Sequence, residues 1–154
     1  MPNITKITKR RLGEILINEG LLTNEQVMEA LVEQQKTGGF LVDNLIKLGY
    51  ITELDIASSL ASQFGLPYID ATRYMITKEI FEMLPIDFME QNSLLILDKI
   101  GSVVTIAISS TLNEKIFAEI EKQTSCQIFV FISTRTQIKM ATDAIKNPDM
   151  MSKK

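Results

Sequence analysis

Between Leu12 and Leu31 the apolar residues fall at helical spacing, and the same pattern returns 29 positions later. Leu12, Ile15 and Leu16 line one face of a short helix, and Gly20 supplies the left-handed stop favoured at a helix C-terminus. Thr23-Asn24-Glu25-Gln26 reads as a capping box, from which Val27, Ala30, Leu31 and Gln34 continue at helical spacing. Gln35-Lys36-Thr37-Gly38-Gly39 reads as a linker. The plan then repeats: a short helix over 41–48, a stop at Gly49, a cap at Thr52 with Asp55, and a longer helix to Phe64. Gly65-Leu66-Pro67 ends it, because proline pushes the residue before it out of the helical region.

Laid together without gaps, residues 11–34 and 40–63 form two copies of 24 residues. They share Leu12/Leu41, Leu16/Leu45, Ile17/Ile46, Gly20/Gly49, Thr23/Thr52, Leu31/Leu60 and Gln34/Gln63. Leu22/Ile51 and Val27/Ile56 keep their apolar character, and Glu14/Asp43 their charge. A helical unit that cannot bury its own apolar face is commonly duplicated and packed on its copy.

After residue 70 the pattern changes. Short helices are expected over 77–83 and 85–91, the second with Pro85 at its start. The β-rich runs 93–97 and 103–108, separated by Asp98-Lys99-Ile100-Gly101-Ser102, predict a hairpin. A helix to about Lys122 follows, capped within Thr111-Leu112-Asn113-Glu114. A strand over 127–132 and a last helix capped by Thr134 and Gln137 complete the chain, with Asn147-Pro148 as its stop. The fold class is α+β: a four-helix layer from two tandem motifs, then a small α/β subdomain of hairpin, further strand and covering helices. Expected boundaries are a flexible basic leader over 1–10, the helical subdomain over 11–66, the α/β subdomain over 67–147 and a disordered tail over 148–154.

Composition narrows the chemistry. Net charge is −3, so no basic field argues for DNA or RNA, and the cluster Lys6, Lys9, Arg10, Arg11 is small enough to be a solvated leader. No histidine is present, which removes His-based triads and His-ligated metals. The single cysteine, Cys126, allows no intramolecular disulfide and reads as a buried structural thiol. No run is apolar for long enough to span a membrane and no signal peptide is evident, so cytoplasm is the expected location. Neither a P-loop pattern nor G-x-G-x-x-G occurs. Asp43, Glu53 and Asp55 are accounted for by helix caps and solvated faces, and the eight methionines by gap-filling. The chain is not expected to be an enzyme, and no cofactor is implied.

The repeat itself carries the remaining signal. Leu12, Leu16, Leu22, Val27 and Leu31 need only a core, and Gly20 only a helix stop; Arg11, Gly13, Gln34 and Gln63 are required by neither. On these residues both copies resemble the tandem motif of the N-terminal domains of type II secretion and type IV pilus assembly ATPases (GspE/PilB-like). Within them the closer likeness is to the MshEN cyclic di-GMP-binding family. The stretch from Gly65-Leu66-Pro67-Tyr68-Ile69-Asp70 through Leu84-Pro85 to Ile145 is similar to the α/β part of the same domains, although that half alone is a weaker signal. With the ATPase domain absent from this sequence, the resemblance implies a sensor or adaptor domain standing alone.

That resemblance implies that each copy clasps one half of a two-fold cyclic dinucleotide through apolar contact and backbone groups. Position by position, Arg11, Leu12, Gly13, Leu31 and Gln34 would form the first half-site, and Leu41, Leu60 and Gln63 the second. Glycine lets backbone approach a ligand closely, and an arginine can stack on guanine or fork onto its acceptor edge. Two departures stand out. Val42 replaces the glycine after the leucine of the second copy, where a β-branched side chain would project toward a ligand. Ser110-Thr111 replaces the Asp-Pro that related domains carry, whose aspartate would contact guanine. Losing one charge-assisted hydrogen bond costs about 1.5–3 kcal/mol, and roughly every 1.4 kcal/mol is tenfold in affinity. Two readings follow: a regulatory domain that binds cyclic di-GMP and signals to a protein of a secretion or pilus machine, or an interaction adaptor of such a machine with a degenerate site. A packed four-helix layer with Gln34 and Gln63 as solvated helix ends is the plainest alternative.

Overall fold

Three threonines set where the long helices begin. Thr23, Thr52 and Thr134 each accept from the backbone N–H three residues on, while Gln26, Asp55 and Gln137 reach back to the threonine's own N–H. Each reciprocal cap satisfies two donors that a helix start leaves open and contributes about 1 kcal/mol. The computed structural model describes residues 12–147. The expected leader over 1–10, Arg11 at the start of the expected helical subdomain, and the expected tail over 148–154 lie outside the described residues.

The first copy is α1 (Leu12–Asn18) and α2 (Asn24–Thr37); the second is α3 (Leu41–Lys47) and α4 (Glu53–Phe64). Gly20 and Gly49 occupy equivalent turns at φ +77° and +80°, a conformation that costs an L side chain about 1–2 kcal/mol. The expected linker is shorter than its sequence suggests. Helix α2 absorbs Gln35, Lys36 and Thr37, the last tied by its hydroxyl to the Glu33 carbonyl at 2.9 Å.

The α/β part follows as a 3-10 turn (Ala71–Arg73), α5 (Lys78–Phe81), α6 (Ile86–Asn92), β1 (Leu94–Ile100), β2 (Val103–Ile108), α7 (Glu114–Thr124), β3 (Gln127–Ile132) and α8 (Arg135–Lys146). Strand order is β1-β2-β3, with β1 antiparallel to β2 and β2 parallel to β3. The connector from the helical layer runs beside β3: Ile69 N–H donates to the Ile132 carbonyl and Ile132 N–H to the Pro67 carbonyl, both at 2.8 Å. The hairpin loop expected over 98–102 is instead a tight turn, because β1 continues to Ile100. An irregularity between Ile96 and Asp98 re-aims the strand, so Asp98, Lys99 and Ile100 pair with Thr105, Val104 and Val103. Polar residues there mark the exposed end of a paired strand rather than a loop. The cap of α7 is Asn113, and Pro85 is the residue before α6 rather than its first.

Buried apolar side chains form one cluster through both halves, from Leu12 and Leu16 through Leu60 to Ile106, Val130 and Ile138. Cys126 is buried, as its setting before a strand suggests. The methionines divide: Met89 is fully buried, but Met28, Met75 and Met140 are 60%, 94% and 59% exposed and fill no gap. Among the described residues no helix is long and apolar enough to cross a membrane.

Two serines hold left-handed backbone at helix C-termini, Ser93 at φ 50° and Ser125 at φ 55°. Ser93 gains a buried partner there, its hydroxyl lying 2.7 Å from that of Ser109. Ser125 is exposed. Ser125→Gly is therefore expected to stabilise the chain by about 0.5–1 kcal/mol in urea unfolding, whereas Ser93→Gly gives up a buried hydrogen bond of similar size and yields no gain.

Candidate functional site

The two copies are interlocked rather than side by side. Short helix α1 of the first packs on long helix α4 of the second, and short helix α3 of the second packs on long helix α2 of the first. The polar contacts repeat this exchange. Ser59 of α4 donates to Glu19, in the turn of the first copy, at 2.7 Å. Tyr50, in the turn of the second copy, donates to Glu29 of α2, and this bond to a carboxylate pushes the Tyr50 phenol above its ordinary pKa. Each turn thus meets the long helix of the other copy, the relation a two-fold axis between them would generate.

Within this arrangement the candidate residues separate into two groups. Leu12, Val42 and Leu60 are core, at 4%, 4% and 1% exposure. Gly13 is buried too: a Cβ there would stand 3.1 Å from Val27 Cγ1 and 3.9 Å from Leu41 Cδ2, so Gly13 lets α1 settle onto α2 and α3. Surface is offered by Leu31 (37% exposed), by Gln34 and Leu41 at intermediate burial, and by Gln63. Gln34 donates through its side-chain amide to the Gly39 carbonyl at 2.9 Å, tying the close of the first copy to the opening of the second. The structure brings Gly13 and Leu41 together across the copies. Arg11 lies outside the described residues.

Val42 requires a correction. It was expected to project toward a ligand; its side chain instead faces inward, because the second residue of α3 falls on the helix face that also buries Leu45. What distinguishes the second copy at this position is a filled core, not a crowded surface.

Sequence reasoning missed the junction between the second copy and the α/β part. The Arg135 guanidinium, at the first residue of α8, lies 4.0 Å above the Phe40 ring and forms an ion pair with Asp43. Glu53, the first residue of α4, accepts from the Thr136 backbone N–H at 2.7 Å and from its hydroxyl at 2.6 Å. Asp43 and Glu53 therefore anchor the two halves, and Asp55 closes its capping box, in keeping with structural roles for all three. Beside them lies a groove of about 430 Å³ lined by Asp43, Ile46, Lys47, Glu53, Arg135, Thr136 and Lys139. Among the described residues no group of three or more His, Cys, Asp or Glu is placed to hold a metal ion. Half-buried Ser110 and Thr111 follow β2, next to the end of β3, where Ser133 N–H donates to the Ile108 carbonyl at 3.0 Å. The carboxyl ends of the parallel pair thus bring residues 109–111 and 133–135 to one edge of the sheet, the edge where open α/β sheets bind ligands.

Comparison with known proteins agrees with this architecture. Residues 64–150 match the MshEN domain family. The chain is 27% identical over 136 residues to the type IV pilus assembly ATPase PilB of Thermus thermophilus and 26% identical over 143 residues to PilB of Myxococcus xanthus. These alignments take in 87% and 91% of the chain, so they necessarily reach into the tandem copies, but only 15% and 25% of the two ATPases. In three dimensions the chain is similar to MshE in its structure with cdg, at TM-score 0.66 and 28% identity, covering 88% of this chain and 98% of that one. The N-terminal domain of XpsE shares the fold at TM-score 0.68 and 21% identity, covering 86% and 92%. The half of the sequence with the weaker signal by eye is the half on which the family match rests.

Because positions 13 and 42 are both packed, exchanging their residues is expected to destabilise either copy. Val42→Gly removes a buried side chain and adds a helix-interior glycine, together about 3 kcal/mol. Gly13→Val forces atoms against Val27 and costs about 1–3 kcal/mol. Urea unfolding of each variant measures both.

Proposed function

This chain belongs to the MshEN domain family, and we propose that it is a cytoplasmic regulatory domain. In this reading it binds cyclic di-GMP across its two tandem motifs and signals to a protein component of a secretion or type IV pilus-type machine. The observation that carries the reading is the reciprocal packing of the copies, in which each turn meets the other's long helix. A ligand built of two identical halves is suited to a protein surface built of two related halves. The likeness to MshE in its structure with cdg, over 98% of that chain, supports the same assignment.

Leu31 and Leu41 present apolar surface for a guanine face, Gln34 and Gln63 present amides near the ends of the long helices, and Arg11 supplies a guanidinium to stack or fork. Leu12, Gly13, Val42 and Leu60 act from the core by setting the spacing of those residues. No catalytic step is assigned: the sequence has no P-loop pattern, and the similarity covers only the non-catalytic N-terminal domain of the ATPases. A second reading, an adaptor of such a machine that no longer binds nucleotide, draws on Ser110 standing where related domains carry an aspartate.

Titration calorimetry with cyclic di-GMP decides between them. Binding is expected for the chain as it stands, weakened about tenfold or more by Arg11→Ala, which removes a charge-assisted contact. Gln34→Ala is also expected to weaken it, because the Gln34 amide holds the Gly39 carbonyl at the opening of the second copy. Absence of heat at high-micromolar ligand would overturn the nucleotide reading in favour of the adaptor.

A further inference from the structure

The second copy opens on Phe40 at the position where the first copy has Arg11. By sequence alone, the second half-site therefore lacks a guanidinium. The fold brings one against Phe40 from another helix. Arg135 reaches from the first residue of α8 to lie with Cζ 4.0 Å from the centre of the Phe40 ring. We propose that Arg135 supplies from the α/β part the ligand-contacting guanidinium that the second copy does not encode, doing for that half-site what Arg11 does for the first. This rests on the nucleotide-binding reading above.

Four observations bear on it. The start of α8 is fixed by the Thr134–Gln137 capping box, so the base of the Arg135 side chain is held in place. The guanidinium lies over the face of the Phe40 ring, which restricts where the side chain can go. The Arg135 side chain is 26% exposed and that of Asp43 44%, so the ion pair can be reached from solvent. A phosphate or a guanine edge arriving from solvent can therefore take the place of the Asp43 carboxylate. The guanidinium also borders the groove of about 430 Å³, where Lys47 and Lys139 stand with it against the carboxylates of Asp43 and Glu53. Asp43 has a second consequence: as the occupant of the guanidinium in the free protein, it competes with the ligand.

A brace and a ligand contact predict different outcomes for the two partners of this ion pair. Calorimetry with cyclic di-GMP on the full chain is expected to show Arg135→Ala weakening binding about tenfold, with Arg135→Lys intermediate because lysine keeps charge but not the planar fork. Asp43→Asn is expected to leave affinity unchanged or raise it. Adding Phe40→Arg to Arg135→Ala, which gives the second copy an arginine of its own, is expected to restore most of the lost affinity. Equal weakening by Arg135→Ala and Asp43→Asn would make Arg135 a structural brace and overturn the proposal. So would an Arg135→Ala affinity within about twofold of the parent. If the parent chain binds no nucleotide, the wild-type titration alone shows it, and the proposal falls with the reading it rests on. Should Arg135→Ala fail to fold, the Arg135→Lys and Asp43→Asn pair decides on its own: no difference between them overturns it.

Discussion

Neither 24-residue copy can bury its apolar stripe alone, and the fold answers by giving each copy's short helix to the other's long one. Nearly everything else depends on that exchange. Turns at Gly20 and Gly49 must reverse the chain tightly enough for a seven-residue helix to reach across. Gly13 leaves room where a Cβ would make a tight 3.1 Å contact with Val27 Cγ1. The cross-copy bonds of Ser59 to Glu19 and Tyr50 to Glu29 then hold the turns where the packing places them. A two-fold pattern appears as a by-product of burial, before any ligand is considered.

The legible part of the sequence was the part encoded locally. Capping boxes at Thr23, Thr52 and Thr134 and the strand over Gln127–Ile132 lie where short-range signals put them, because the groups that satisfy each other are within a few residues. Three features escaped for separate reasons. The end of β1 looked like a turn because Asp98 and Lys99 are polar, yet a polar residue on an exposed strand end still pairs through its backbone. Val42 looked like an intrusion on a ligand because it was compared with a glycine, without the helix phase that turns it inward. The contact of Arg135 with Phe40 and Asp43 joins residues more than ninety positions apart, and nothing local announces it.

The candidate site was legible to a lesser extent. A repeat identifies which positions are equivalent, but not which equivalents face solvent. Of the described candidates, Leu12, Gly13, Val42 and Leu60 turn out to build the frame, while Leu31, Gln34, Leu41 and Gln63 reach the surface. Shared sequence in the copies thus mixes two causes. Residues kept for packing and residues kept for contact look alike until burial separates them.

Burial also relocates the inequality of the copies. With Val42 facing the core, a difference of the second copy from the first that bears on a guanidinium is Phe40 in place of Arg11. A missing side chain of this kind is repairable from elsewhere in the fold, whereas a steric block is not. The α/β part meets the second copy here, since α8 begins at the carboxyl end of β3 and its first two residues both engage that copy, Arg135 through Phe40 and Asp43 and Thr136 through Glu53. The first copy opens on an arginine of its own, and the second opens against one held by another helix. On the proposed reading, a ligand that engaged Arg135 would alter a contact on which the two parts of the molecule are joined.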